Sequence, residues 1–155
     1  MCFSIELLVD DPRWRKARGL STRLRRSAEL ALKRGRAAKA AKLTILLTGD
    51  ARLRRLNRDF RGKDKPTNVL SFPAQSPKGD YLGDIALAYG VTAKEAQIAG
   101  KHFADHALHL TVHGVLHLLG FDHETRRAAR AMEPLETGIL GELGISDPYR
   151  NEASS

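Results

Sequence analysis

A ladder of histidines constrains this chain more than any other feature. His102, His106, His109, His113 and His117 stand at spacings of 4, 3, 4 and 4, with Gly120 and His123 just beyond. At about 100° per residue the five fall within an arc of about 80°, so the spacing predicts a helix from about His102 to Leu119 with one histidine face. Gly120 follows the last apolar pair, where a helix commonly ends in the left-handed conformation that glycine adopts without a Cβ penalty. The reversed chain then carries His123 back towards His117. Five histidines spread over four turns cannot ligate one ion, and only the pair nearest the glycine break can be joined by His123. His113, His117 and His123 are therefore the candidate ligands of one divalent transition metal, zinc above all. Three protein ligands leave a coordination position for water, as catalytic zinc sites do. His109 is read as a neighbour of the ligands, and His102 and His106 as non-ligands.

One residue is missing from this helix. In the HExxH pattern of metallopeptidases a glutamate follows the first histidine as general base, but here that position is Gly114. A mid-helix glycine costs about 1 kcal/mol against alanine, so its small size must be needed, and either substrate or a neighbouring strand approaches the helix there. An ordinary peptidase is disfavoured.

With 155 residues, the chain is read as one domain (residues 1–149) and a short C-terminal tail (150–155), large enough to bury a core without staples. The single cysteine, Cys2, excludes an internal disulfide and a cysteine-ligated zinc site, and suits a reducing cytosol. No apolar run approaches a membrane span, and the N-terminus lacks the charged-then-apolar layout of a signal peptide. A cytoplasmic location is expected. The charge is lopsided. Residues 13–65 hold 19 of the 26 Lys and Arg with only 4 acids, whereas the rest of the chain is net acidic. Such an excess in one third of a chain points to a polyanionic partner, and phosphate backbones are the usual one.

In chain order, Phe3–Val9 alternates as a first strand. Asp11 is read as a helix cap with Pro12 at the first helical position. Trp14, Ala17, Leu20, Leu24, Ala28, Ala31 and Leu32 then recur at helical spacing, as one long helix or two broken near Gly19, ending by Gly35. Arg23, Arg25 and Arg26 lie on its outer face. Leu43–Thr48 is a second, central strand, Ala51–Phe60 a short helix with Leu53 and Leu56 inward, and residues 61–66 a basic loop. Val69–Phe72 is a third strand closed by Pro73. Residues 76–80 form a loop, and Leu82–Ala88 is a fourth strand in which Gly83 marks a bulge or a close approach. Thr92 and Glu95 look like a capping box opening the next helix. Thr125–Leu143 is helical, with Pro134 expected to kink or restart it.

The run Phe60-Arg61-Gly62-Lys63-Asp64-Lys65-Pro66-Thr67-Asn68-Val69-Leu70-Ser71-Phe72-Pro73, then Leu82-Gly83-Asp84-Ile85, then the block from His113 to His123, resembles the YbeY-type endoribonucleases, the bacterial rRNA maturation factors. The likeness runs in order over roughly residues 3–149. It implies an α+β fold in a single domain: a small mixed sheet of about four strands flanked by helices, zincin-like, with a central metal-binding helix beneath a basic cleft. It implies one zinc ion per chain on His113, His117 and His123, with Arg61 as the functional arginine and Lys63 a nearby basic position. Many members carry aspartate where this chain has Asn68 and tyrosine where it has Phe121.

Together these readings predict metal-dependent cleavage of single-stranded RNA, chiefly rRNA, with ribosomal or ribosome-associated proteins as partners and no membrane. Zinc on neutral histidines keeps its charge, lowers the pKa of bound water towards 7 and polarises a phosphoryl oxygen. Arg61 stabilises charge on the phosphoryl oxygens. Arg23, Arg25 and Arg26, with Arg61 and Lys63, hold the strand. Catalysis is assigned to Arg61, His113 and His117. Two rivals remain open: a metallopeptidase-like hydrolase, and a non-enzymatic ribosome-associated factor with a structural metal.

Overall fold

The structure is a computed structural model that describes residues 2–74, 80–122 and 125–145. His123, most of the loop expected at residues 76–80 and the expected C-terminal tail lie outside the described residues. The chain folds as α+β, with four strands and five α-helices among the described residues. β1 (Ser4–Val9), β2 (Lys42–Thr48), β3 (Val69–Pro73) and β4 (Tyr81–Ala88) form one mixed sheet in the order β1-β2-β4-β3. β1, β2 and β4 run parallel, and β3 pairs antiparallel to β4 along one edge.

Alternation along β2 sorts the two faces of the sheet. Leu43, Ile45 and Leu47 are buried in the main core. That core is closed by α1 (Leu20–Arg34), α4 (Phe103–Leu118) and α5 (Arg126–Glu142). On the opposite face Leu46 joins a smaller cluster of Leu53, Leu70, Ala86 and Ala88 under α2 (Asp50–Arg61). Between the expected alternatives for the first helix, the chain takes the broken one. Pro12–Lys16 is a short 3-10 turn capped by Asp11, and Gly19, at φ +72°, separates it from α1.

Gly83 satisfies both readings of its position. The β2–β4 register slips beside it, and a Cβ at φ +137° would overlap the carbonyl oxygen of Phe72. Gly120 ends α4 as expected. At φ +99° it donates to the His117 carbonyl, and Phe121 donates to that of Leu116, the paired closure of a Schellman motif.

Two expectations fail. The capping box at Thr92 is not formed, because β4 runs straight into α3 (Tyr89–Ala99) and Thr92 is buried inside that helix, its hydroxyl donating to the Ala88 carbonyl. The cap comes from α2, where Asp50 accepts the Val91 N–H at 3.0 Å. Arg61 is the last residue of α2 rather than the first of a loop, since the left-handed residue that ends the helix is Gly62, at φ +70°. Of the two alternatives at Pro134, the restart is excluded: α5 runs through the proline, which is exposed.

Candidate metal centre and nucleic-acid face

Helix α4 lies against β3 and β4 through Gly114. A Cβ there would stand 3.0 Å from Cγ2 of Ile85 and 3.3 Å from Oγ of Ser71, and the Ser71 hydroxyl donates to the Gly114 carbonyl at 3.1 Å. Of the two approaches expected at this glycine, the sheet makes one. The glycine thus sets how near the histidine face comes to strand β3. α1 covers another flank of α4, with Arg23 bonded to Asp105 at 3.3 Å.

Four of the five histidines form a half-buried row. Successive ring centroids from His106 through His109 and His113 to His117 are 6.0, 6.4 and 4.4 Å apart, while His102 caps the helix and is exposed. The closest pair is His113 and His117, whose Nε2 atoms face each other at 2.8 Å. Two imidazoles on one tetrahedral zinc, each with a bond of about 2.0–2.1 Å, hold their nitrogens about 3.3 Å apart. A small opening of this pair suffices, so the two donors fit a zinc-sized ion. Among the described residues no group of three or more potential ligands gathers, and the third expected ligand, His123, is not one of the described residues.

The pair is held from behind by a residue that local pattern did not single out. Glu136 of α5 is fully buried and lies 3.0 Å from His113 Nδ1 and 3.1 Å from His109 Nε2. Burial pushes its pKa up, but the hydrogen bonds from His109 and His113 outweigh that and bring it down to about 2. An ionised carboxylate only accepts, so both imidazoles donate to it. His113 therefore carries its proton on Nδ1 and turns the lone pair of Nε2 towards His117. A carboxylate behind a ligating histidine commonly fixes tautomer and ring orientation in this way. The one signal in the sequence was an acid four residues after Met132 and four before Leu140, on the buried face of α5.

His109 neighbours His113, at the spacing of one helical turn. His106 belongs to a separate network, in which Oε1 of Glu95 lies 2.9 Å from both His106 Nε2 and Asn68 Nδ2. Burial lowers the His106 pKa, against the opposing pull of Glu95. Asn68 also accepts the Val69 N–H, at 2.7 Å. Asn68, Glu95, His106, His109 and His113 line a hollow of about 270 Å³ along the outer side of β3.

Arg61 stands on the other face of the sheet. It lines a groove of about 700 Å³ with Phe60, Phe72, Pro73, Asp84 and others, and this groove shares no lining residue with the histidine hollow. The hollow is lined by Asn68 and Val69 at the start of β3, and the groove by Ser71, Phe72 and Pro73 at its end. α4 meets the strand between them, where the Ser71 hydroxyl reaches the Gly114 carbonyl. Lys63 is exposed just beyond Gly62. Arg23, Arg25 and Arg26 are exposed on α1. Arg23 meets α4 at Asp105, about 100° around the helix from the neighbouring His106, so this basic patch flanks the histidine face rather than lining it.

Residues 11–144 match the family model described as Endoribonuclease YbeY. The chain belongs to the YbeY endoribonuclease family. Relatives named Endoribonuclease YbeY include one from Rhodopseudomonas palustris (strain BisB18), 53% identical over 119 residues that cover 72% of this chain and 71% of the relative. Another, from Chelativorans sp. (strain BNC1), is 47% identical over 152 residues, or 95% of this chain and 93% of the relative. Among solved structures, the solution structure of TM1509 from Thermotoga maritima is similar with a TM-score of 0.60 and 25% identity, over 93% of this chain and 97% of that one. Arg61 and His113 thus lie on the two faces of one sheet edge. Among the described residues no helix is long and apolar enough to cross a membrane.

Proposed function

We propose that this endoribonuclease of the YbeY family cuts single-stranded RNA, chiefly rRNA during ribosome maturation, in the cytoplasm. The proposed cofactor is one zinc ion per chain held by His113, His117 and His123. The observation that carries the metal reading is the convergence of the His113 and His117 Nε2 atoms at 2.8 Å, with Glu136 bonded to the far nitrogen of His113. Bound there, such an ion supplies Lewis acidity, polarising a phosphoryl oxygen and bringing the pKa of a water towards neutrality.

The chain's own residues do the rest. Glu136 holds the His113 proton on Nδ1 and leaves Nε2 free of one, so that ring is set to ligate as a neutral donor. His117 ligates in the matching tautomer, with its proton on Nδ1. Glu136 is itself committed to two imidazoles and fully buried, so it orients ligands rather than taking a proton from substrate. Arg61, across the edge of β3, offers a planar fork to the phosphoryl oxygens of a strand laid over that edge. Gly114 stands where a peptidase carries its glutamate, and its contact with Ser71 and Ile85 accounts for the small residue. The basic surface of α1 and the proposed ribosomal protein partners would hold the enzyme near rRNA.

The test is cleavage of a single-stranded RNA and of casein by the purified protein, before and after chelation and with zinc restored. RNA cleavage lost on chelation and regained with zinc is the expected result. Casein cleavage would favour the peptidase, and RNA binding without cleavage would favour the structural-metal factor. His117→Ala should lose stoichiometric zinc, and full occupancy in that variant would refute the ligand assignment.

A further inference from the structure

We propose that Phe60, backed by Phe72, is a stacking platform for one base of the RNA strand whose phosphate Arg61 holds. This rests on the endoribonuclease reading above. Phe60 lies seven residues after Leu53, so on a 3.6-residue helix it continues the same apolar seam of α2. Leu53 is fully buried, yet Phe60 is 67% exposed. The seam has outrun the sheet that covers it, and an exposed aromatic ring is left over the groove. Phe72 meets Phe60 edge to face, with ring centroids 5.4 Å apart and planes at 64°. That contact holds the ring against the strand while its outer surface stays open.

The charge beside it selects the occupant. Arg54 and Arg58 are paired with Asp64 and Asp59. Among the described residues, Arg61 and Lys63, which follow Phe60 within three positions, pair with no carboxylate. An open aromatic ring among uncommitted cations is the arrangement by which proteins hold single strands, with bases on the ring and phosphates on the cations. Arg61 is the next residue after Phe60, about 100° around the helix, so ring and guanidinium diverge as the base and phosphate of one nucleotide do.

The decisive measurement is fluorescence anisotropy of a labelled 2′-O-methyl RNA dodecamer, checked for integrity on a denaturing gel, with the purified protein and its Phe60→Ala and Phe60→Trp variants. A second dodecamer carries abasic residues throughout. Phe60→Ala should weaken binding of the base-bearing strand about 5- to 150-fold, the range for loss of one stacked base. Phe60→Trp should restore it, and all three proteins should bind the abasic strand alike. Alanine is a better helix former than phenylalanine, so the fold should hold. Equal affinity of wild type and Phe60→Ala for the base-bearing strand would overturn the stacking role and leave the groove to a protein partner, while RNA cleavage by the wild type would still stand. Failure of the wild type to bind either strand would overturn this proposal together with the endoribonuclease reading.

Discussion

Replacing Glu136 with glutamine changes one oxygen for one nitrogen in a fully buried site, and the structure says what must follow. Among the described residues, the carboxylate accepts N–H bonds from His109 at 3.1 Å and His113 at 3.0 Å. Glutamine offers one acceptor and one donor in their place, so one of the two rings must turn acceptor by moving its proton. If that ring is His109, the proton goes to Nδ1, an atom buried without a hydrogen-bond partner in either tautomer, and the cost is the charge assistance lost from both bonds, about 1–3 kcal/mol. If it is His113, the proton goes to Nε2, the atom that faces His117 and is assigned to the metal. Either way Glu136→Gln is not silent. Zinc affinity should fall about 10- to 100-fold, as for other carboxylates behind ligating histidines, or the zinc-free protein should lose about 1–3 kcal/mol of stability. Glu136→Ala removes both acceptors and leaves two imidazole N–H groups unpaired, at about 1–3 kcal/mol each, a large share of the roughly 5–15 kcal/mol of an ordinary domain. Zinc competition against a chromophoric chelator and urea unfolding in EDTA read the two effects separately. A Glu136→Gln protein unchanged in both would refute the orienting role.

Arg61→Ala should lower turnover on single-stranded RNA about 100- to 1,000-fold at saturating substrate with zinc content intact, and Arg61→Lys should recover only part of it; near wild-type turnover would remove Arg61 from the mechanism. Replacing Arg23, Arg25 and Arg26 together should weaken RNA binding across sequences and flatten its dependence on salt; an unchanged salt slope in a filter-binding titration would put the strand elsewhere. The two glycines beside the site should respond differently. At Gly83 an added Cβ meets the Phe72 carbonyl oxygen in a backbone conformation that L-residues rarely adopt, so Gly83→Ala should cost about 2–5 kcal/mol in urea unfolding. At Gly114 the added Cβ meets only side-chain atoms of Ile85 and Ser71 at 3.0–3.3 Å, and a gain in helix propensity of about 1 kcal/mol offsets the crowding. Gly114→Ala should therefore stay within about 2 kcal/mol of wild type, and equal losses at the two positions would contradict this account.

The features that local pattern exposes and those it hides differ in one physical respect, the sequence separation of the partners involved. The histidine face of α4, the Gly120 stop and the alternation of β2 all leave a mark within a few residues, because each is a property of one helix or one strand. The features that complete the site are bonds between distant segments. Glu136 reaches His113 across 23 residues, Asp50 caps α3 at Val91 across 41, and the Ser71 hydroxyl reaches Gly114 across 43. The Thr92–Glu95 pair fitted a local capping rule, and it failed because a better cap came from Asp50 and because Glu95 had His106 and Asn68 as partners. The same logic explains why Arg61 and the histidines, read as neighbours in one cleft, stand on opposite faces of the sheet. In the proposed mechanism both touch one RNA strand only because β3 is an edge strand, and strand order is a tertiary fact that no window of sequence contains. Arg61 and His117 are then expected to meet the substrate from two sides of β3. Widening the edge at Pro73 or Ala74 should then impair turnover while leaving zinc binding and the sheet intact.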